Sequence, residues 1–183
     1  MAKLVGIPGS LRKQSYNRAL LAAAVSVMPE GSGLDVLSID DVPLFNEDVE
    51  TASGVPDSVR RLRGQIASAD GLVIATPEYN AGVPGVLKNT IDWLSRRVEG
   101  EGSIFSGKPL AMMGATPGGL GTALSQVAWL PTLRNLQLVY WTGGGNFLLS
   151  GASREFTDGQ LSPEKLAALE TFMRGFVAFS DSQ

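Results

Sequence analysis

Five short apolar runs alternate with amphipathic stretches along this chain, and this alternation constrains the fold more than any other feature. The clearest run is Gly71–Ala75, whose Leu-Val-Ile centre suits a strand that is covered on both faces. Strands that each lead into a helix predict a parallel sheet with helices on both sides. The predicted strands cover residues 3–7, 34–39, 71–75, 109–114 and 136–141.

Between these runs, apolar residues recur at every third or fourth position, which is typical of one buried helix face. The last helix is predicted to begin at Ser162, where a side-chain cap precedes Pro163 and the early acid Glu164. Pro131 predicts a bend or an interruption in the fourth helix. The polar segment 40–54 is predicted to be a loop. The remaining predicted helices cover residues 16–28, 56–69, 83–97 and 121–135.

Right-handed crossovers leave few topologies for such a chain, and we predict a flavodoxin-like three-layer sandwich with a five-stranded parallel sheet in the order 2-1-3-4-5. Residues 1–183 are expected to form a single domain. In sheets of this kind, ligands bind beyond the carboxyl ends of the strands, where the strand order switches direction. The loops after the first and third strands are therefore the place to search for a site.

The chain contains no cysteine and no histidine. These absences exclude disulfides, thiol nucleophiles and Ser-His-Asp triads, and they leave zinc or copper only carboxylate ligands. A bound cofactor is therefore expected to supply any difficult chemistry. The net charge of -3 gives no reason to expect nucleic acid. No apolar run approaches the roughly 20 residues that span a bilayer, and no targeting segment is visible, so we expect a cytoplasmic protein without a membrane partner.

The loop after the first strand carries the hydroxyl and amide side chains of Ser10, Ser15 and Asn17, together with Arg12. It leads into a helix at Tyr16, and a helix N-terminus favours anions. Serine hydroxyls and an arginine fork can both donate hydrogen bonds to phosphate oxygens. The loop matches neither the P-loop nor the dinucleotide motif, which indicates the single phosphate of a mononucleotide. The alternative is that Ser15 only caps the helix and that Arg12 is solvated.

The loop after the third strand places an acid, an aromatic residue and an amide on one turn. Tyr79 could cover one face of a planar ring, and Asn80 could bond to the edge of that ring. Pro77 restricts the backbone of the loop. Glu78 could act as an acid or base, or it could form a salt bridge within the loop or between subunits. An ordinary proline-rich turn with an exposed tyrosine is the competing interpretation.

These residues resemble a known family. The segment 9–20 is similar to the phosphate motif of the NADPH-dependent FMN reductases, and the segment 77–96 is similar to their flavin-ring motif. The most similar branch contains bacterial quinone, chromate and azo-dye reductases. Residues 43–48 also resemble the family's loop after the second strand. The likeness is clear from about residue 3 to 108.

The resemblance implies non-covalent FMN, NADPH or NADH as cosubstrate, and a homodimer or homotetramer. It also implies electron transfer to a small acceptor such as a quinone, free flavin, an azo compound or chromate. Asp92 and Trp93 would serve helix packing or subunit contact. The implied cofactor ligands are Ser10, Arg12, Ser15, Tyr16 and Asn17 in the first loop, Pro77, Glu78, Tyr79 and Asn80 at the ring, and Thr116, Pro117, Gly118 and Gly119 at its pyrimidine side.

Two other classes of protein remain open at this point. A flavodoxin-type electron carrier would bind FMN without a substrate of its own, but such carriers are strongly acidic. A flavin-free signalling module could share the architecture, because fold does not fix function. A receiver-type module would need acids at the end of the first strand, and residues 6–10 contain none.

Overall fold

A computed structural model describes residues 1–183 and shows a parallel sheet between two layers of helices. The strands are β1 (Lys3–Pro8), β2 (Gly33–Val36), β3 (Gly71–Ala75), β4 (Pro109–Ala115), β5 (Val139–Tyr140), β6 (Phe147–Leu149), β7 (Phe156–Thr157) and β8 (Gln160–Leu161). The helices are α1 (Tyr16–Ser26), α2 (Glu47–Ser53), α3 (Asp57–Ala67), α4 (Gly85–Leu94), α5 (Ala123–Asn135), α6 (Ala152–Glu155) and α7 (Pro163–Ser180).

The strand order β2-β1-β3-β4-β5 confirms the predicted topology. Every residue of β3 and β4 is buried, which explains their continuous apolar sequences. In the register of β1 against β3, Ile7 lies opposite Ile74 and Pro8 opposite Ala75, so the two strands end level with each other. The loops that follow them therefore leave the same edge of the sheet side by side.

A hydrophobic core fills each side of the sheet. On one side, α3, α4 and α5 pack against the strands, and Trp93 and Trp129 are fully buried. On the other side, α1 and α7 form the second core around Phe176. Burying a large side chain stabilises a fold by roughly 1.5–3 kcal/mol. The helices that follow β1, β3 and β4 are thus firmly anchored, and they fix the ends of the loops between them.

The edge of the sheet differs from the prediction, because the sheet has six strands rather than five. The segment 136–141 does not form one strand. Leu136 ends α5 as its C-cap, and Gln137 has a left-handed backbone with a φ of 59°. The chain therefore joins β4 only at β5, and β6 pairs with the far half of β4 after an intervening loop. Among the other predicted strands, β2 is shorter and ends at Val36.

The predicted loop 40–54 contains a helix, α2, that the sequence interpretation missed. Asn46 begins it, and its Oδ1 accepts the Asp48 N–H at 2.9 Å. Three acids follow in the first turn, where the helix dipole favours negative charge. An asparagine followed at once by acids is a helix-start signal, and it was available in the sequence.

Of two further helices, α5 is not interrupted, and α7 is not capped by the Ser162 side chain. α5 continues through Pro131, and Val127, whose carbonyl loses its helical partner there, is exposed to solvent. Ser162 begins α7 with Pro163 as predicted, but its hydroxyl donates to Glu155 and makes no capping bond. None of the helices has both the length and the apolar character needed to cross a membrane.

Candidate functional site

The turn from β1 into α1 is rich in hydrogen-bond donors. Ser10 and Ser15 are buried, and each Oγ accepts a backbone N–H, from Arg12 at 3.3 Å and from Arg18 at 3.4 Å. These bonds use oxygen lone pairs and leave both hydroxyl hydrogens free to donate. The N–H groups in the first turn of α1 also have no partner within the helix. Ser15 therefore caps α1, as the alternative interpretation held, and can still donate to an anion.

Two arginines flank this turn. Arg12 is exposed, and its Nη2 donates to the Gln14 carbonyl at 3.4 Å, which leaves most of its N–H groups facing solvent. Arg18 was not among the predicted site residues. Its Nε donates to the Ser10 carbonyl at 3.1 Å, and its guanidinium pairs with Asp40. Arg18 therefore holds the loop onto the start of α1. Its position in the first turn of the predicted helix was the sequence signal for this contact.

Asn17 is buried and connects two loops. Its Nδ2 donates to the Ala115 carbonyl at 3.0 Å, and its Oδ1 accepts the Ala115 N–H at 2.9 Å. The side chain therefore bonds the end of β4 as a neighbouring strand would. One Nδ2 hydrogen and one Oδ1 lone pair of this side chain make no bond within the chain.

The turn after β3 is tight and left-handed. Tyr79 and Gly82 form an antiparallel bridge, and Asn80 and Ala81 between them have φ values of 51° and 59°. Asparagine tolerates this region, whereas alanine does so at some cost. The Tyr79 side chain is 49% exposed. The turn therefore presents an aromatic ring to solvent at the edge where β1 also ends.

Glu78 does not form a salt bridge within the chain. Its Oε2 accepts the Leu124 N–H at 2.8 Å and the Ser125 N–H at 3.1 Å. The carboxylate thus caps α5, a contact that neither predicted role included.

The loop after β4 follows the end of the neighbouring strand. The Thr116 N–H donates to Leu149 at 3.0 Å, and the Thr116 carbonyl accepts the Ala152 N–H at 3.0 Å. The following residues, Pro117, Gly118 and Gly119, are exposed. A Cβ added at Gly119 would meet nothing within 4 Å, so open space lies beside this backbone.

Gly9 allows the loop after β1 to approach the loop after β3 closely. Its N–H donates to the Ala75 carbonyl at 2.8 Å. A Cβ at this position would lie 2.6 Å from Pro77 Cδ and 3.1 Å from the Ala75 oxygen. Only glycine permits this approach, which makes the two loops into opposite walls of one cleft.

Most of the predicted ligands line that single cleft. Asn80, Gly118 and Gly119 lie outside its lining, and Ala115 is the one lining residue that was not predicted. The lining residues are Ser10, Arg12, Ser15, Tyr16, Asn17, Pro77, Glu78, Tyr79, Ala115, Thr116 and Pro117. Tyr16 forms part of the wall by stacking on Phe156, with ring centroids 5.8 Å apart.

Trp93 packs within this chain, as one of its two predicted roles held, whereas Asp92 is partly exposed and forms an ion pair on α4. Trp93 is fully buried, and its Nε1 donates to the Pro43 carbonyl at 2.9 Å. Asn89 bonds the same carbonyl at 2.8 Å, so the loop after β2 is fixed onto α4. Asp92 pairs with Lys88 one turn earlier at 2.6 Å.

A larger groove lies at the opposite end of the sheet, around Arg63 and Lys108. Arg63 is buried and already engaged. Its Nε and Nη2 donate to Glu101, and its Nη1 donates to the carbonyls of Leu94 and Arg96. Four of the five Arg63 N–H groups are therefore bonded within the chain, and parallel sheets bind ligands at the other edge.

The chemistry of the cleft is asymmetric. One end has two serine hydroxyls, the α1 N-terminus and the Arg12 guanidinium, which suit a phosphate dianion. The other end has an exposed tyrosine on a tight turn, which suits a flat ring. No histidine is present to act as an acid or base. The donor set thus fits a phosphorylated aromatic cofactor such as FMN.

The sequence is similar to those of an FMN reductase and of several quinone reductases. The NADPH-dependent FMN reductase family matches residues 2–152. An NAD(P)H-dependent FMN reductase of Pseudomonas aeruginosa is 44% identical over 168 residues, which cover 91% of this chain and 88% of the relative. A 2-hydroxy-1,4-benzoquinone reductase of a Burkholderia species is 36% identical, with 97% of this chain and 95% of the relative covered.

A solved structure shows the same likeness in three dimensions. The flavoenzyme NAD(P)H:(acceptor) oxidoreductase FerB from Paracoccus denitrificans superposes with a TM-score of 0.85 at 32% identity, over 100% of this chain and 98% of that one. The likeness to this structure thus extends over the whole fold. The chain belongs to the NADPH-dependent FMN reductase family.

Proposed function

We propose that this protein is an FMN-dependent NAD(P)H oxidoreductase that passes electrons to a quinone. The observation that carries the proposal is the single cleft in which an anion-binding turn faces a turn with an exposed aromatic side chain. The relatives described above include a reductase named for a benzoquinone. The proposal takes residues 1–183 as one flavin-binding domain. It also assigns the protein to the cytoplasm, where NAD(P)H is available.

Different residues of the cleft would bind the phosphate and the ring of FMN. Ser10, Ser15 and Arg12 would hold the phosphate, and Tyr79 would lie against the ring with Thr116 and Pro117 near its pyrimidine side. When bound, FMN supplies hydride and single-electron transfer, which no side chain of this protein can provide. The protein binds and orients the cofactor. We propose that NAD(P)H and the acceptor enter in turn from the solvent side beside Tyr79.

Anaerobic stopped-flow reduction tests this function. We expect NADPH or NADH to bleach the flavin absorption of the FMN-loaded protein rapidly, and a benzoquinone to restore it. Free FMN, an azo dye and chromate complete the panel of acceptors, and comparison of the two nicotinamides gives the preference between them. A yellow protein that neither nicotinamide bleaches would instead be an electron carrier, and the proposal would be wrong.

We also propose that the protein assembles into a homodimer or a homotetramer through α5. Its outer face and the preceding loop expose Leu120, Leu124, Val127 and Leu130, which are 58%, 44%, 61% and 41% exposed. Within the helix, Leu124, Val127 and Leu130 are three residues apart, so their side chains share one side. Contiguous apolar surface of this kind marks interaction sites. The face begins next to the candidate cleft.

Sedimentation of a charged variant checks this assembly. Val127→Glu places a carboxylate in the apolar face, so we expect its sedimentation coefficient to fall towards that of a monomer. Val25→Glu is the matched control, because Val25 is 43% exposed on α1, away from this face. A wild-type protein that sediments as a monomer, or a Val127→Glu variant that stays associated, would contradict the proposed interface.

A further inference from the structure

Helix α5 begins without a normal cap. Thr122 stands at the N-cap position, but its backbone is left-handed with a φ of 72° and its side chain makes no capping bond. Its Oγ1 instead accepts from Gln126 Nε2 at 3.1 Å. The Ala123 N–H donates to the Leu120 carbonyl at 3.0 Å. The next two N–H groups, those of Leu124 and Ser125, find no acceptor in their own segment.

Glu78 supplies that partner from another part of the chain. Its Oε2 accepts the N–H groups of Leu124 and Ser125 at 2.8 and 3.1 Å, across 46 and 47 residues of sequence. A carboxylate at a helix N-terminus also gains from the helix dipole. Bonds to a charged group are stronger than bonds between neutral groups. The contact is thus a strong connection between the turn after β3 and the start of α5.

A second, buried connection lies directly behind the first. The Oγ atoms of Thr76 and Ser125 are 3.0 Å apart, and Trp129 Nε1 donates to Thr76 Oγ1 at 3.2 Å. Thr76 and Ser125 are completely buried. Residues 76 and 78 therefore both reach the first turn of α5, and Pro77 between them lines the candidate cleft.

We infer that Glu78 is a positioning residue that fixes the ring-binding turn against α5. The inference rests on the proposed function, because it concerns the contact between the turn after β3 and the flavin ring. Tyr79 follows Glu78 directly, and the turn beyond it has two non-glycine residues with positive φ. A turn of this conformation keeps its shape only when its surroundings fix it. The Glu78 carboxylate provides this constraint, so it sets the affinity for the flavin ring rather than for the phosphate.

Two variants and one control separate these roles. Glu78→Ala removes the acceptor, whereas Glu78→Gln keeps its shape and one neutral acceptor oxygen. Glu30→Ala is the control, because Glu30 is an exposed acid outside the cleft. Amide exchange at Leu124 and Ser125 in the flavin-free protein reports the contact itself. Fluorescence titration with FMN and with riboflavin, which lacks the phosphate, reports its consequence.

We expect Glu78→Ala to speed exchange at both amides and to weaken FMN and riboflavin by the same factor, roughly tenfold. Glu78→Gln should recover part of this loss, and Glu30→Ala should match the wild type. If Glu78→Ala exchanges both amides fast but binds both flavins with unchanged affinity, the inference is overturned. A loss of affinity for FMN alone, with riboflavin binding unchanged, would also overturn it. A wild-type protein that shows slow exchange but binds no flavin would instead overturn the proposed function.

Discussion

Replacing Arg12 by alanine is expected to weaken FMN binding by roughly ten- to a hundredfold and to leave riboflavin binding unchanged. Arg12 is exposed, and its side chain makes one long bond to the Gln14 carbonyl, so its loss costs the fold little. The lost affinity comes from charge-assisted bonds to the phosphate, which only FMN has. Equilibrium titration that follows flavin fluorescence measures both affinities.

Lys13→Ala is the matched control for this experiment. Lys13 is the neighbouring cation, and it is exposed and does not line the cleft. A screened charge beyond contact distance contributes little, so this variant should bind FMN within about twofold of the wild type. If Arg12→Ala and Lys13→Ala behave alike, the phosphate is not bound at this turn.

Gly114→Ala is expected to lower the free energy of unfolding by about 4 kcal/mol or more. A Cβ at this position would lie 1.9 Å from Thr122 Oγ1 and 2.5 Å from the Thr76 carbonyl oxygen. Neither group can move freely, because Thr122 is buried with a left-handed backbone and the Thr76 oxygen belongs to the backbone. The added methyl group must push β4, the end of β3 and the start of α5 apart.

Urea denaturation measures this effect, with Gly64→Ala as control. Gly64 lies within α3, and a Cβ there would meet nothing within 4 Å. Because alanine is the better helix former, this control should gain about 0.5–1 kcal/mol. If the free energy of unfolding of Gly114→Ala lies within about 1 kcal/mol of the wild-type value, these three segments do not approach each other as closely as described.

The order of the central strands and the place of the cleft could be predicted because both follow from local sequence. Buried strands such as β3 are continuous apolar runs, and right-handed crossovers then leave few arrangements. The strands at the β5 and β6 edge of the sheet could not be predicted from local sequence. Residues 136–141 are apolar enough for a strand, but Leu136 is the C-cap of α5, and Gln137 has a left-handed backbone that a strand does not adopt.

The individual contacts in the site depend on residues that are distant in the sequence. Asn17 bonds to Ala115 across 98 residues, and Glu78 bonds to α5 across 46 residues. No local pattern indicates such partners. The sequence could therefore identify which side chains face the cleft, but it could not distinguish those free to bind a ligand from those engaged with the chain itself.

The crystal structure of the protein grown with excess FMN tests the central claim most directly. We expect the phosphate to lie within hydrogen-bond distance of Ser10, Ser15 and Arg12, and the ring to lie against the turn at Tyr79. Flavin bound elsewhere, for example in the groove around Arg63, or a cleft that closes on its own side chains in the presence of flavin, would contradict the account.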